Sequence, residues 1–555
     1  MTATHSSIGT RPARIGQWLL AHPFWLLATF ALWLGFTLGL RPLFVPDEGR
    51  YVGVALAMLH SHDWLVPRLD GLPFFHKPPL FYWVTATSLS VFGVNEWAAR
   101  LAPFLGAFFT GVTLFWFLNA HVSRRAAGLA LLLLGNFPLF FDGAQFASMD
   151  MLVGSLIAIT VLLLAHVSER LMAGVMAPKL LILAYATAAL GMLTKGMIGF
   201  VLPGMVITFW LLWMRRYTHL YRLISLPGIV VFLLIAAPWF LLMELKFPGF
   251  LYYTFIYQQF DRYLDSSFNN PQPFYFYFMI LFGGLLPWIV GVVLMRILPS
   301  WRQTLLPIGK HTIISLGVIW IAAILMFFSI PTSKLIGYIL PTVPGFALLM
   351  ALLLDQVLAR NAHHFEQTHN WYRRIGILAL IGGSLGLISV ITFAVIDHKS
   401  HKAVTEEVRT QITPDADVVF YNYYFFSVPF YLDRPKPALV TGEWHDPANF
   451  KTDGSNTELY TSAQFDPEAA KRILISTAQL ATMIDQAKAG THPPVWVYAL
   501  RGDVPNTPLL AQARPRAQDK RVNVYCFGCQ HAREAADGTR VATRSGRLGA
   551  SSAAP

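Results

Sequence analysis

The chain has 555 residues, of which 55% are hydrophobic, 14% aromatic and only 13% charged. Soluble domains carry about a quarter charged residues, so this composition excludes a soluble globular protein and indicates a polytopic membrane protein. The formal charge of +12 does not point to nucleic acid, because the basic residues are spread among short loops between apolar runs, as membrane orientation demands.

Apolar runs long enough to cross a bilayer at about 1.5 Å of rise per residue fall near 18–40, 98–120, 125–141, 148–167, 178–194, 197–214, 222–243, 273–296, 311–329, 336–357 and 374–396. They predict a helical membrane protein of about eleven to thirteen spans, given the eleven runs and the way short neighbours merge or split. No A-x-A-like cleavage site follows the first run, which reads as a retained span. Arg124, Arg125, Arg170, Lys179, Arg215, Arg216, Arg222, Arg296, Arg302, Arg360, Arg373 and Arg374 occupy alternate loops, on one side with Arg11 and Arg14. The positive-inside rule makes that side cytoplasmic. The opposite, outer side then collects a large first loop at 41–97, the loop around Asp142–Asp150, Thr194–Gly196, residues 244–272, the 329–335 turn and everything after 397.

Within 41–97, Tyr51, Ala55, Met58 and Leu59 form an apolar stripe that predicts a short helix along the interface. The Pro78-Pro79 breaker predicts a second helix over 79–93. Residues 1–396 therefore read as the transmembrane domain and 397–530 as a small α/β domain outside the membrane. The latter has strand-like runs at Val418–Tyr421 and Val495–Leu500 and a helix around Asp466–Ile475. Residues 531–555, rich in Ala, Gly, Ser and Arg, read as a disordered tail. Cys526 and Cys529, with His531 nearby, are a weak zinc signal and read first as an incidental pair, with a local disulfide only if this end faces an oxidising compartment.

The stretch 46–80 places Asp47, Glu48, Arg50 and Lys77 directly after the first apolar run, at or near the membrane surface. Charge there is costly to maintain and marks a functional site or a self-neutralising interfacial loop. The same topology adds Asp150, Arg262, Lys334 and Tyr338 to the outer face. Carboxylates among several cations at a membrane surface suit a lipid-linked phosphate: Arg offers forked hydrogen bonds and Lys a mobile point charge. A carboxylate accepts a proton from a nucleophile or stabilises a developing sugar cation. Each residue also has a plainer role. Asp150 caps a helix, Arg262 is neutralised by Asp261 or Asp265, and Lys334 snorkels from a helix end, as Lys195 is expected to do. Trp64, Tyr82 and Trp83 form an interfacial belt.

The segments P-D-E-G-R-Y (46–51), D-W-L-V-P (63–67) and K-P-P-L-F-Y-W (77–83) resemble the first outer loop of the protein O-mannosyltransferase and aminoarabinose transferase family. These are GT-C-type glycosyltransferases that use polyprenyl-phosphate sugars. M-L-T-K-G (192–196), Q-Q-F-D-R-Y (258–263), P-F-Y-F-Y (273–277) and F-F-S-I-P-T-S-K-L-I-G-Y-I-L-P (327–341) follow in the family's order. In the tail, Y-N-Y-Y-F-F-S-V-P-F-Y-L-D-R-P (421–435) matches more weakly. The likeness is greatest to bacterial lipid A aminoarabinose transferases of the inner membrane. It implies transfer of 4-amino-4-deoxy-L-arabinose from undecaprenyl phosphate to a lipid A phosphate, with neither cofactor nor metal. It implies Asp47 and Asp150 as catalytic residues and Lys77, Arg262, Tyr338, Arg50 and Lys334 as lipid-phosphate contacts. Glu48 and Tyr51 would bind substrate. K-P-P-L is the general family form and differs from the enterobacterial one, so the sugar and the acceptor stay open. Transfer of another sugar to a protein hydroxyl or glycan is the runner-up. A lipid-linked-sugar flippase and a lipid-binding scaffold are rivals of another class; no internal repeat supports the flippase.

Overall fold

The computed structural model describes residues 18, 20–261, 271–291, 312–363, 365–396, 400–444 and 455–529. Arg262 and the 531–555 tail lie outside the described residues. The fold separates into two units, one of Met1–Arg41 and His76–Asp397, the other of Pro42–Phe75 and His398–Pro555. In chain order, α1 (Pro23–Gly35) precedes α2 (Asp47–Ser61) and the hairpin β1–β2 (Arg68–Leu69, Leu72–Pro73), which belong to the second unit. The first unit resumes with α3 (Leu80–Phe92), α4 (Leu101–His121), α5 (Arg124–Asn136), α6 (Pro138–Ala144), α7 (Met149–Met172), α8 (Pro178–Lys195), α9 (Ile198–Trp213) and α10 (Leu226–Lys246). A π-helix (Tyr252–Asp261), α11 (Phe276–Gly284), α12 (Thr312–Ser329), a 3-10 turn (Ile336–Thr342), α13 (Val343–Arg360) and α14 (Phe365–Val395) complete it.

Local chemistry sets these helix starts. Ser123, Ser148 and Ser225 accept backbone N–H groups at the N-caps of α5, α7 and α10. Pro178 opens α8, where its missing N–H costs nothing. Pro138 also explains the 72° bend between α5 and α6. It forces Phe137 into extended backbone, which ends one helix and starts the next in a new direction.

Each of the eleven apolar runs read from the sequence overlaps a helix among the described residues. Among the described residues, six helices are long and apolar enough to cross a membrane, or seven if the bent pair counts as one span. α1, α3 and α9 are apolar but shorter. The chain is a multi-pass helical membrane protein. α7 is its axis: it packs against α4, α8, α9 and the 3-10 turn. α10 and α14 keep most of their apolar surface outward, as lipid-facing helices do.

The second unit is an α/β domain. After α15 (Lys402–Arg409) come β3 (Asp417–Tyr421), α16 (Val428–Leu432), β4 (Leu439–Thr441), α17 (Ser455–Ala463), α18 (Pro467–Ile473), β5 (Leu474–Ile475), α19 (Thr477–Lys488), β6 (Val495–Leu500), β7 (Ala517–Gln518) and β8 (Val522–Phe527). The sheet order is β5-β4-β3-β6-β8-β7, with β5, β4, β3 and β6 parallel and β8 and β7 antiparallel. Val419, Val497, Leu480, Ile484 and Tyr525 form its core. The strands expected at 418–421 and 495–500 are β3 and β6, and the helix expected from Asp466 is α18, with Asp466 as its N-cap. Cys526 and Cys529 are disulfide-bonded at the end of β8, their Cα atoms 6.0 Å apart.

Candidate active site

In the membrane unit, Asp150 lies in the first turn of α7, where the free N–H groups favour its charge. Capping is done by Ser148, whose Oγ accepts the Asp150 N–H at 3.3 Å. The Ser148 hydroxyl also donates to Asp150 Oδ2 at 3.4 Å, and the carboxylate's longer-range partner is Lys195, the last residue of α8. Lys195 does not snorkel to the interface as expected. Its side chain is 10% exposed, its ammonium pairs with Asp150, and Nζ lies 4.3 Å from the centre of the Tyr338 ring. A desolvated ammonium over an aromatic face is stabilised by the ring quadrupole. Tyr338 is carried by the 3-10 turn and rests on Phe328, ring centres 5.3 Å apart. Gly337 allows that turn to pass Asp150, since a Cβ there would stand 2.5 Å from Asp150 Oδ2. Asp150, Lys195 and Tyr338 therefore form one partly exposed constellation at the meeting of α7, α8 and the 3-10 turn.

Lys334 is turned elsewhere. It is 4% exposed and its Nζ donates to the carbonyls of Gln272 at 3.1 Å and Pro331 at 2.6 Å. Desolvation holds its pKa below the ordinary lysine value. Lys77 is half-buried in the segment leading to α3.

In the second unit, Asp47, Glu48, Arg50 and Tyr51 occupy the first turns of α2. Acids at a helix N-terminus meet unpaired N–H groups, which stabilises the start of this helix. Glu48 is fully buried and turned inward, its Oε2 accepting the Phe44 N–H at 2.7 Å. The side chain of Asp47 is half-exposed. Arg50 donates to Glu458 of α17 at 2.9 Å, and its guanidinium lies 5.1 Å from the centre of the Phe426 ring. Gly49 permits that packing: a Cβ there would come within 2.8 Å of the Phe426 carbonyl carbon. The Glu458 contact was not legible beforehand, since nothing in S-N-T-E-L-Y sets this acid apart. Lys195 had a signal in M-L-T-K-G, whose lysine follows an apolar helix and precedes a glycine stop.

Four likenesses bear on the family. Residues 76–241 match the family model described as dolichyl-phosphate-mannose-protein mannosyltransferase. The undecaprenyl phosphate-alpha-4-amino-4-deoxy-L-arabinose arabinosyl transferase of Aeromonas hydrophila is 28% identical over 398 residues, covering 71% of this chain and 70% of the relative. The enzyme of that name from Pseudomonas savastanoi is 30% identical over 377 residues, 66% of each chain. In fold, the chain is similar to ArnT from Cupriavidus metallidurans bound to undecaprenyl phosphate, with a TM-score of 0.74 at 23% identity over 91% of this chain and 97% of that one. The motif order, the helical membrane unit with its α/β partner and these likenesses agree. The chain belongs to the GT-C glycosyltransferase family of protein O-mannosyltransferases and aminoarabinose transferases, enzymes that draw their sugar from a polyprenyl-phosphate carrier.

Proposed function

We propose that the protein transfers 4-amino-4-deoxy-L-arabinose from undecaprenyl phosphate to a phosphate of lipid A, on the periplasmic face of the inner membrane. The names of the relatives support the sugar and its carrier. The observation that carries the reading is the Asp150–Lys195–Tyr338 constellation, a paired acid and base on an aromatic face at the ends of two helices. In the reaction an acceptor oxygen bonds to the anomeric carbon from the face opposite the carrier. The bond from that carbon to the carrier phosphate breaks, and its electron pair leaves with undecaprenyl phosphate. Attack from the opposite face inverts the anomeric centre.

Negative charge grows on the leaving phosphate, so cations held near it lower the barrier. Lys77, Arg262 and Tyr338 are assigned that contact; Arg50 and Lys334 are weaker assignments, since Arg50 is paired with Glu458 and Lys334 Nζ donates to two backbone carbonyls. Asp150 fixes Lys195 through their ion pair and so sets the positive charge beside Tyr338. A phosphate acceptor is already anionic and needs no base. Asp47 then orients the acceptor or the sugar's amine, or stabilises an oxocarbenium-like state. With a protein hydroxyl as acceptor, the reading that the mannosyltransferase family model favours, Asp47 serves as general base. Tyr51, on the same helix, is assigned to substrate binding, whereas the buried Glu48 carboxylate is held by the Phe44 N–H and acts through the helix start. No metal is assigned a role.

The test is transfer of labelled aminoarabinose from its undecaprenyl-phosphate carrier to lipid A in membranes, with wild type and Asp47→Asn side by side. Transfer by the wild type, reduced at least about 100-fold in an equally expressed Asp47→Asn, is the expected result. A folded wild type that transfers nothing would redirect the search to other polyprenyl sugars. An active Asp47→Asn would remove Asp47 from the mechanism.

A further inference from the structure

The second unit contains a cavity of about 170 Å³, bounded by α2, the β1–β2 hairpin, β3 and the 434–438 segment. A void of about 150 Å³ suffices for one six-membered ring. Its walls are largely apolar, with Leu56, Val418, Phe420, Tyr424 and Leu432 among them. Two charged groups on the lining have unmet needs. Arg434 is half-buried and held by one guanidinium nitrogen, which donates to the Pro414 and Ala416 carbonyls at 2.9 Å each. Among the described residues no carboxylate lies within ion-pairing distance of it. Nearby Asp417 is already taken by Lys436 at 2.7 Å and His492 at 3.5 Å. Arg434 therefore brings a fixed positive charge and unused N–H donors to the cavity. Carbonyls orient it, and the Asp417 and Asp415 carboxylates act on it only from beyond ion-pairing distance.

The second group is Asp70, 9% exposed. Its Oδ1 accepts the Ala438 N–H at 2.9 Å, whereas Oδ2 is buried with no partner. A buried carboxyl oxygen without a donor costs free energy unless it carries a proton or meets a ligand. Burial pushes the Asp70 carboxyl up to about 7, so near neutrality it has a proton to offer an acceptor. Facing it are Arg68 on the hairpin, His60 on α2, Tyr424 after β3, and Arg434 and Lys436 on the closing segment. Arg68 and His60 are paired with Asp466 and Asp433.

We propose that this cavity is a receptor for a small anionic molecule, a phosphate or carboxylate carried on a body about the size of one sugar ring. Arg434 holds the anion, Asp70 donates to it, and the apolar wall takes the ring. The site is independent of the transferase reaction, and no residue assigned to that reaction lines it.

The experiment uses the full chain in detergent and measures binding of glucose 1-phosphate, glucuronate, glucose and inorganic phosphate by isothermal titration calorimetry. Saturable binding of glucose 1-phosphate or glucuronate is expected, at least tenfold tighter than glucose and than inorganic phosphate. Whichever of the two binds more tightly identifies the anion. Arg434→Gln should weaken it at least tenfold. Ala57→Phe, which fills the void and removes no charge, should abolish it, and both variants should keep sugar transfer. Lys195→Met should show the reverse, binding kept and transfer lost. Binding should be tighter at pH 6 than at pH 8, and Asp70→Asn should flatten that dependence. Equal binding of glucose would overturn the anion receptor, and equal binding of inorganic phosphate would overturn the ring subsite. Absence of saturable binding, or full affinity in folded Arg434→Gln and Ala57→Phe, would overturn the proposal entirely.

Discussion

At the scale of single residues, the ion pair of Lys195 and Asp150 has the most to lose. Both side chains are largely shielded, at 10% and 20% exposure. Removing one partner of such a pair strands the other charge, at about 3–5 kcal/mol when burial is complete and less here. Lys195→Met should therefore cut transfer at least about 100-fold and lower the melting temperature. Adding Asp150→Asn should restore part of the stability without restoring transfer. A double mutant that melts lower than Lys195→Met would show that the two groups do not act as a pair. Asp70 behaves differently because, among the described residues, no cation pairs with it. Its folded pKa is about 7 against an ordinary 3.8, so between those values the folded state holds a proton that the unfolded chain releases. Stability is then lost as pH rises through this window, and above it the buried charge costs on the order of a few kcal/mol. Asp70→Asn keeps an acceptor for the Ala438 N–H, so it should raise the melting temperature at pH 8 and change it far less at pH 5. An equal shift at both values would mean that the carboxyl does not titrate there.

Among the elements, the 3-10 turn decides where Tyr338 and Gly337 stand. It is tied to α12 by Trp320, whose buried Nε1 donates to the Pro341 carbonyl at 2.9 Å. Trp320→Phe keeps most of the ring but strands that carbonyl, a cost of about 1–3 kcal/mol. A lower melting temperature with reduced transfer is expected, whereas unchanged transfer would free the turn from this anchor. The helices themselves were legible in the sequence, because apolar runs and their breakers are local signals. β3, β6 and α18 were legible for the same reason. Partners were not. Whether Lys195 meets water or Asp150 depends on how α7 and α8 pack, and neither flanking sequence records that. The division of the chain was equally hidden. Residues 42–75 read as a loop because they follow an apolar run, yet their backbone belongs with the α/β unit, and pairing across such a chain distance leaves no periodicity to detect.

For the whole molecule, the orientation proposed from the basic loops makes a labelling prediction. Glu468, with a side chain 79% exposed in the α/β unit, and Tyr221, 73% exposed between α9 and α10, should face opposite sides. With Cys526 and Cys529 held in their disulfide, Glu468→Cys and Tyr221→Cys each introduce one reactive thiol. A membrane-impermeant maleimide on intact spheroplasts should label the first and spare the second. The reverse pattern would invert the topology and place the chemistry in the cytoplasm.

The packing of α7 has a consequence for how the enzyme meets its surroundings. In its most apolar window 89% of the residues are buried inside the protein, against 22% for α14. A helix enclosed by protein takes its frame of reference from its neighbours, whereas one bathed in lipid takes it from the bilayer. Asp150 rides on the first kind. A thinner or stiffer membrane would tilt the outer helices and alter how readily a carrier lipid arrives, while the spacing of Asp150 and Lys195 stays as the protein sets it. Bilayer composition should therefore act on the Michaelis constant for the lipid donor much more than on the turnover number.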